Sequence, residues 1–379
     1  MKIEQNLWNH EKGWKTGDPG KLGESAHLVL MFGSRKILNE RSQFEILKKA
    51  YPNAHFLGCS TAGEICGTEV SDDSLVMTAV RFDHSQIRGA RIDIKSSGNS
   101  FQYGEKLAQS LPKEGLKHVF AISDGLKVSG SDFVEGLIKN LPSNVGITGG
   151  LAGDGALFNE TVVLWDNNSD HNGVAVLGFY GDRLKIGYGA MGGWDPFGPE
   201  RLITRSKGNV LYEIDGKSAL ELYKKYLGEH AKGLPGTALH FPLSLRKTEG
   251  SASVVRTILS VDEKEKSMIF AGDIPQGVYA RLMRANFERL IDGSIGAART
   301  SYEAMGSSSP ELAILISCVG RKLVLKNRTE EEVDGAREIL GDQTIFTGFY
   351  SYGGISPFAP LSKCEFHNQS MTITVFSEN

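Results

Sequence analysis

Gly58-Cys59-Ser60-Thr61-Ala62-Gly63-Glu64-Ile65 near one end of the chain and Gly348-Phe349-Tyr350-Ser351-Tyr352-Gly353-Gly354-Ile355 near the other share the spacing Gly-x-x-[Thr/Ser]-x-Gly-x-Ile. What precedes them also matches. A β-type run, His27–Phe32, leads to Ser42-x-x-Glu45, then a helix carrying Ile46, Leu47 and Ala50, then Phe56 and the first glycine loop. In the same way Leu312–Cys318 leads to Thr329-x-x-Glu332, a helix carrying Val333, Ala336 and Leu340, then Phe346 and the second loop. Ser or Thr three residues ahead of Glu reads as a capping box. The same order of strand, helix and glycine loop twice in one chain predicts two structurally related halves. Chance similarity between two glycine loops is the alternative.

Between these units, short apolar runs of strand type recur at Ser74–Phe82, His118–Ser123, Thr161–Asp166, Val174–Tyr180, Leu184–Ala190, Ala238–Pro242, Ser253–Val261 and Met268–Ala271. Val174–Tyr180 and Leu184–Ala190 flank Gly181-Asp182, and Val254–Val261 meets Met268 across a charged turn, so both pairs are expected as antiparallel hairpins. Helices are fewer. Phe133, Val134, Leu137, Ile138 and Leu141 repeat at helical spacing behind Asp132-x-x-Glu135, and Ala219, Leu220, Tyr223, Tyr226 and Leu227 do so behind Asp215. The pattern predicts an α+β protein of two related lobes, with mixed, largely antiparallel sheets layered with helices. The expected divisions are an N-terminal extension over 1–25, one domain over 26–214 and a second over 215–379. The glycine- and proline-rich stretch Gly192–Pro199 reads as a hinge.

Composition narrows the function classes. With 379 residues, 40% hydrophobic and 23% charged, the chain can bury a substantial core. Its net charge of −3 gives no reason to expect nucleic acid or an anionic membrane as partner. Cys59, Cys66, Cys318 and Cys364 form no Cys-x-x-Cys pair and read as reduced cytoplasmic thiols. No signal peptide and no membrane span are expected.

Three loops carry candidate binding chemistry. Around Gly58–Ile65, Gly63 permits an unusual backbone, Ser60 and Thr61 offer hydroxyls, and Glu64 offers an acceptor for an ammonium or a hydroxyl. Gly149-Gly150-Leu151-Ala152-Gly153-Asp154 resembles a phosphate cradle only superficially, because no Gly-Lys-Ser/Thr follows. Near the C-terminus Tyr350, Tyr352, His367 and Asn368 supply orientable donors and acceptors. Structural turns and a hydrogen-bonded core histidine are the competing readings of these same residues. No catalytic constellation and no metal-ligand spacing is present. An enzyme acting through Cys59 or Ser60 is the least favoured reading, since no base accompanies them.

At these residues the sequence resembles the FIST family. The stretches that carry the resemblance are Gly58–Ile65, Gly149–Asp154, Ala271–Pro275, Gly320–Leu325, Gly348–Pro357 and Cys364–Gln369, in order from about residue 26 to the end. The resemblance implies a non-enzymatic intracellular sensory module. It would bind a small polar ligand such as an amino acid and signal to a separate partner, with no cofactor required. Related members look like haem-binding nitric-oxide sensors acting on histidine kinases, which makes haem, held by His240 or His367, the alternative. One departure stands out: the family's Tyr-x-Tyr-Gly-Glu ends here in Gly354, leaving Glu64 as the remaining acid of the paired loops.

Overall fold

The computed structural model describes residues 1–94, 98–167, 172–248, 253–306, 308–358 and 362–378. The architecture is α+β and two-lobed, as expected, but the lobes are not the two related halves that the repeat suggested. Among the described residues the larger lobe holds three six-stranded mixed sheets with helices packed on them. The smaller lobe, between Asp195 and Arg284, is built on one nine-stranded antiparallel sheet. The stretch read as a hinge joins the strand Leu184–Met191 of the larger lobe to the smaller one.

The unit noticed twice in the sequence occurs a third time, and all three copies lie in the larger lobe. Each has a parallel pair: Leu28–Gly33 with His55–Ser60, Leu116–Ser123 with Gly146–Leu151, and Leu312–Cys318 with Ile345–Ser351. Each first strand is flanked on its other side by an antiparallel strand: Ser74–Arg81, Gly173–Tyr180 and Met371–Glu378. These strands are almost continuously buried, the pattern of sheets covered on both faces. Outside them run Lys2–Asn9, Gln86–Asp93 and Leu184–Met191. The smaller lobe is therefore an insertion into the third unit, between Leu184–Met191 and the helix Phe287–Glu303.

The registers agree residue by residue. Gly58, Gly149 and Gly348 sit opposite Met31, Ala121 and Leu315 in the parallel ladders. A Cβ at these glycines would fall 2.0, 1.8 and 1.9 Å from the facing carbonyl oxygens, so the close strand contact admits no side chain. Beyond the glycines each unit sends a strand into a neighbour's sheet. Glu64–Cys66 joins the third unit, Val163–Trp165 the first, and Gly353–Pro357 the second. The crossings are tied in a ring by backbone bonds from Ala62 N to Tyr350 O (2.7 Å), Gly153 N to Ser60 O (2.8 Å) and Tyr352 N to Leu151 O (3.2 Å).

Several local expectations are corrected. Val174–Tyr180 and Leu184–Ala190 are not a hairpin: they lie in different sheets, because the turn at Gly181-Asp182 carries the chain from one unit to the next. Ala238–Pro242 is not a strand; Gly236–His240 is a short 3-10 helix. Ser253–Val261 is two strands, Ser253–Arg256 and Ile258–Asp262, with different partners. The second predicted hairpin forms, between Ile258–Asp262 and Ser267–Phe270. The helices exist, yet the acids that precede or open them in the sequence are not their caps. Ser129 Oγ, not Asp132, accepts from the first turn of Gly130–Asn140, and Ser218, not Asp215, does so for Ala219–Leu227. Glu332 is not a cap at all. It is buried and paired with the buried Arg321 at 2.6 Å.

Candidate functional site

The two glycine loops meet directly. Besides the Ala62–Tyr350 bond, Tyr350 N donates to Gly63 O at 2.8 Å, and Glu64 faces Phe349 in the antiparallel ladder. On the solvent side of this crossing lies a cavity of about 600 Å³. Thr61, Gly63, Glu64 and Asp154 of the predicted set line it. Ser60 lies beneath, its Oγ accepting from Val162 N at 2.9 Å. Tyr352 reaches the site indirectly, since its hydroxyl donates to Asp154 Oδ1. Gly149, Gly150 and Tyr350 are inside the sheets, and the Tyr350 hydroxyl donates to Glu332 at 2.7 Å. His367 and Asn368 are buried elsewhere in the larger lobe.

Glu64 is 1% exposed, so it is no surface acid. Its carboxylate accepts from Ser74 N (3.2 Å), from Ser74 Oγ (2.6 Å) and from Thr61 Oγ1. Burial pushes its pKa up to about 7 despite these donors, which act to lower it. Asp154 is held in similar fashion: its Oδ2 accepts from the backbone of Asn159 (3.0 Å) and Glu160 (2.9 Å), fixing the loop that follows.

Sequence reasoning missed the other half of the cavity. Arg35 lines it, 3.1 Å from Glu160, as do Lys36, Asp72 and Asp73. Lys322, from the third unit, binds Asp72 and donates to Ala62 O at 3.0 Å. Asp73 adopts a left-handed backbone (φ 51°), and its carboxylate has no partner among the described residues. The signal was present in Ser71-Asp72-Asp73-Ser74, two adjacent acids in a tight turn before a buried strand. Among the described residues that line the cavity, Glu64, Asp72, Asp73, Asp154 and Glu160 stand against Arg35 and Lys36, with Lys322 bound to Asp72 from outside the lining.

The histidines differ. His367 is buried, with Nε2 donating to Ser356 O at 2.7 Å, and burial lowers its pKa to about 4. His240 is half-buried and lines a cavity of about 520 Å³ in the smaller lobe beside Phe197, Tyr226, Phe241 and Arg284. Its ring nitrogens have no hydrogen-bond partner among the described residues, and burial lowers its pKa. Cys59 is fully buried, and that burial holds its thiol protonated.

Residues 27–217 match the FIST N domain and residues 219–357 the FIST C domain. This chain belongs to the FIST family. FIST domains are generally sensory domains of signal transduction. One relative is an uncharacterized protein of Methanocaldococcus jannaschii, MJ1623, 24% identical over 332 residues. That match covers 82% of this chain and 62% of the relative, so the chain spans under two thirds of that protein's length. Among solved structures, cyanuric acid hydrolase from A. caulinodans aligns over 100% of this chain and 99% of its own at a TM-score of 0.41 and 7% identity. Among the described residues no helix is long and apolar enough to cross a membrane.

Proposed function

We propose that this FIST protein is a signal-input module that binds a small amine-bearing ligand, such as an amino acid, in the cavity beside Glu64 and Asp73. The ligand-bound state would be read by a separate signalling partner. The observation that supports this reading is the charge of the cavity. Its carboxylates outnumber its cations, and the exposed Asp73 has no partner among the described residues, the arrangement an ammonium group needs. Arg35 is the lining cation best placed in kind to meet a ligand carboxylate. A ligand shifts a partner only through differential affinity for two states. A chain of contacts for such a shift runs from Gly63 through Tyr350 and Glu332 to Arg321, whose Nη1 donates to Gly192 O at the joint between lobes.

The test is calorimetric titration of the protein with the common amino acids and their decarboxylated amines. Asp73→Asn should weaken binding by about 1.5–3 kcal/mol, the worth of a charge-assisted hydrogen bond. The same exposed substitution should change stability by only about 0.5 kcal/mol. If no amine binds, or Asp73→Asn binds as tightly as the parent, the reading fails.

A second reading, a noncovalent haem, is favoured by the cavity at His240. An unpartnered imidazole beside three aromatic rings is a suitable axial ligand, and Arg284 is a cation that a propionate could meet. When bound, the iron would supply a site for a diatomic gas. The His240→Ala variant should then lose the Soret band seen after haem addition, whereas His367→Ala should lower stability instead.

A further inference from the structure

We infer that the cleft between the two lobes is a second binding site, taking a small monocarboxylate with an apolar body, and that Arg256 is its receptor. The cleft is a cavity of about 360 Å³, within the range of small-molecule sites. Val134 and Ile138 of the helix Gly130–Asn140 line it from the larger lobe, and Leu245, Val254 and Val278 from the smaller.

Arg256 ends the strand Ser253–Arg256 and is only 6% exposed. Its Nε donates to the carbonyl of Asp273 at 3.3 Å, and its Nη1 to the carbonyls of Val255 (3.3 Å) and Phe366 (3.0 Å). These acceptors orient the guanidinium without neutralising it. Among the described residues Nη2 has no acceptor and Arg256 forms no close ion pair, although Glu365 and Asp273 act on its charge from a longer range. Burial lowers its pKa to about 10, which leaves it charged at neutral pH. A desolvated cation whose acids, Glu365 and Asp273, act on it only from beyond contact distance is costly, and a carboxylate that touches the guanidinium would relieve that cost.

The other charges in the lining argue for a monoanion. Arg246, Lys247 and Lys363 with Arg256 equal in number Asp132, Glu135, Asp273 and Glu365. Arg246 is already held by Glu200. A phosphate or tricarboxylate would meet these acids as well as Arg256, whereas one carboxylate with an apolar tail would meet the guanidinium and the aliphatic walls. Such a ligand would touch both lobes. It would also lie against Phe366, within the stretch Cys364–Gln369 that the family resemblance singled out.

The test is calorimetric titration of the whole protein with straight-chain monocarboxylates from acetate to octanoate, with citrate and inorganic phosphate alongside. Saturable binding is expected, tightening by about fourfold per methylene until the cavity is filled, with citrate and phosphate far weaker. Arg256→Gln should weaken octanoate binding by about tenfold or more. Should that variant fail to fold, Ile138→Glu places a carboxylate on the aliphatic wall from a half-buried helical position, and it should abolish octanoate binding with an unchanged circular-dichroism spectrum. Asp73→Asn should leave octanoate binding intact, which separates this site from the cavity beside Glu64. Absence of saturable binding at every chain length would overturn the inference. So would citrate binding as tight as octanoate, or unchanged octanoate affinity in Ile138→Glu.

Discussion

Ser71-Asp72-Asp73-Ser74 in the first unit and His367-Asn368-Gln369-Ser370 in the third occupy the same place, the turn into the antiparallel strand of each sheet. Asp73 and Gln369 share the left-handed backbone, with φ of 51° and 59°, and Ser74 O and Ser370 O accept equivalent bonds from Ser34 N (2.9 Å) and Cys318 N (3.1 Å). Their surroundings are opposite. Asp72 and Asp73 are exposed beside a cavity, while Asn368, Gln369 and Ser370 are buried, with side-chain polar atoms that lack partners among the described residues. Trp194, at the entrance to the smaller lobe, covers the third turn and donates from Nε1 to Gln369 O at 2.8 Å. The backbone position comes from the repeated unit; its chemistry comes from what is laid over it.

The largest expected effect probes the same contrast one helix away. Glu45 and Glu332 hold matching places in the first and third units, but only Glu332 is buried with an arginine. Arg321→Met should destabilise the protein by about 3–5 kcal/mol in urea unfolding, because it strands a buried carboxylate. Glu45→Ala, on an exposed helix face, should change stability by about 0.5 kcal/mol or less. Similar losses from both would break the comparison.

Glu64 gives a smaller effect with a definite sign. The folded chain holds its proton up to about pH 7, while an unfolded glutamate releases it near 4.5. Between those values the folded state binds more protons, so stability is full below about pH 4.5 and falls as pH rises to 7, by about 3 kcal/mol in all. Unfolding free energies of Glu64→Gln measured across that window should lack this component. A parent protein that gains stability from Glu64 with rising pH would contradict the assignment.

The smallest effect tests the cover itself. Trp194→Phe keeps an aromatic ring but removes the N–H and part of the indole, so the lost hydrogen bond, about 0.5–1.5 kcal/mol, is joined by a small packing loss. It should also speed hydrogen exchange at the third turn without altering the first. Equal changes at both turns would show that the smaller lobe does not seal the third one selectively.

Much of this was legible because the signals were local. The strand Leu312–Cys318 was bounded correctly from its apolar run, and the first and third glycine loops were recognised as counterparts from spacing alone. The second unit escaped because its chain runs on from Asp154 through 162 before its crossing strand, which erases the Gly-x-Ile ending. Gly181-Asp182 misled because a turn between strands of one sheet and a turn between sheets use the same residues. Of the first cavity, the glycine loop was readable, whereas Arg35 and Lys322 arrive from other elements. Arg256 was invisible as a candidate: nothing in Val255-Arg256-Thr257 announces a burial that exists only where two lobes meet.

The exchanged strands bear on what counts as a piece of this molecule. The third sheet needs Glu64–Cys66 and Leu184–Met191 from the FIST N region, and the second needs Gly353–Pro357 from beyond the FIST C boundary's start. A cut between residues 217 and 219 would leave raw sheet edges on both fragments, each the template for the other's missing strand. The two family domains are therefore halves of a single interlocked knot of sheets, suited to reassembly in trans and ill suited to life apart.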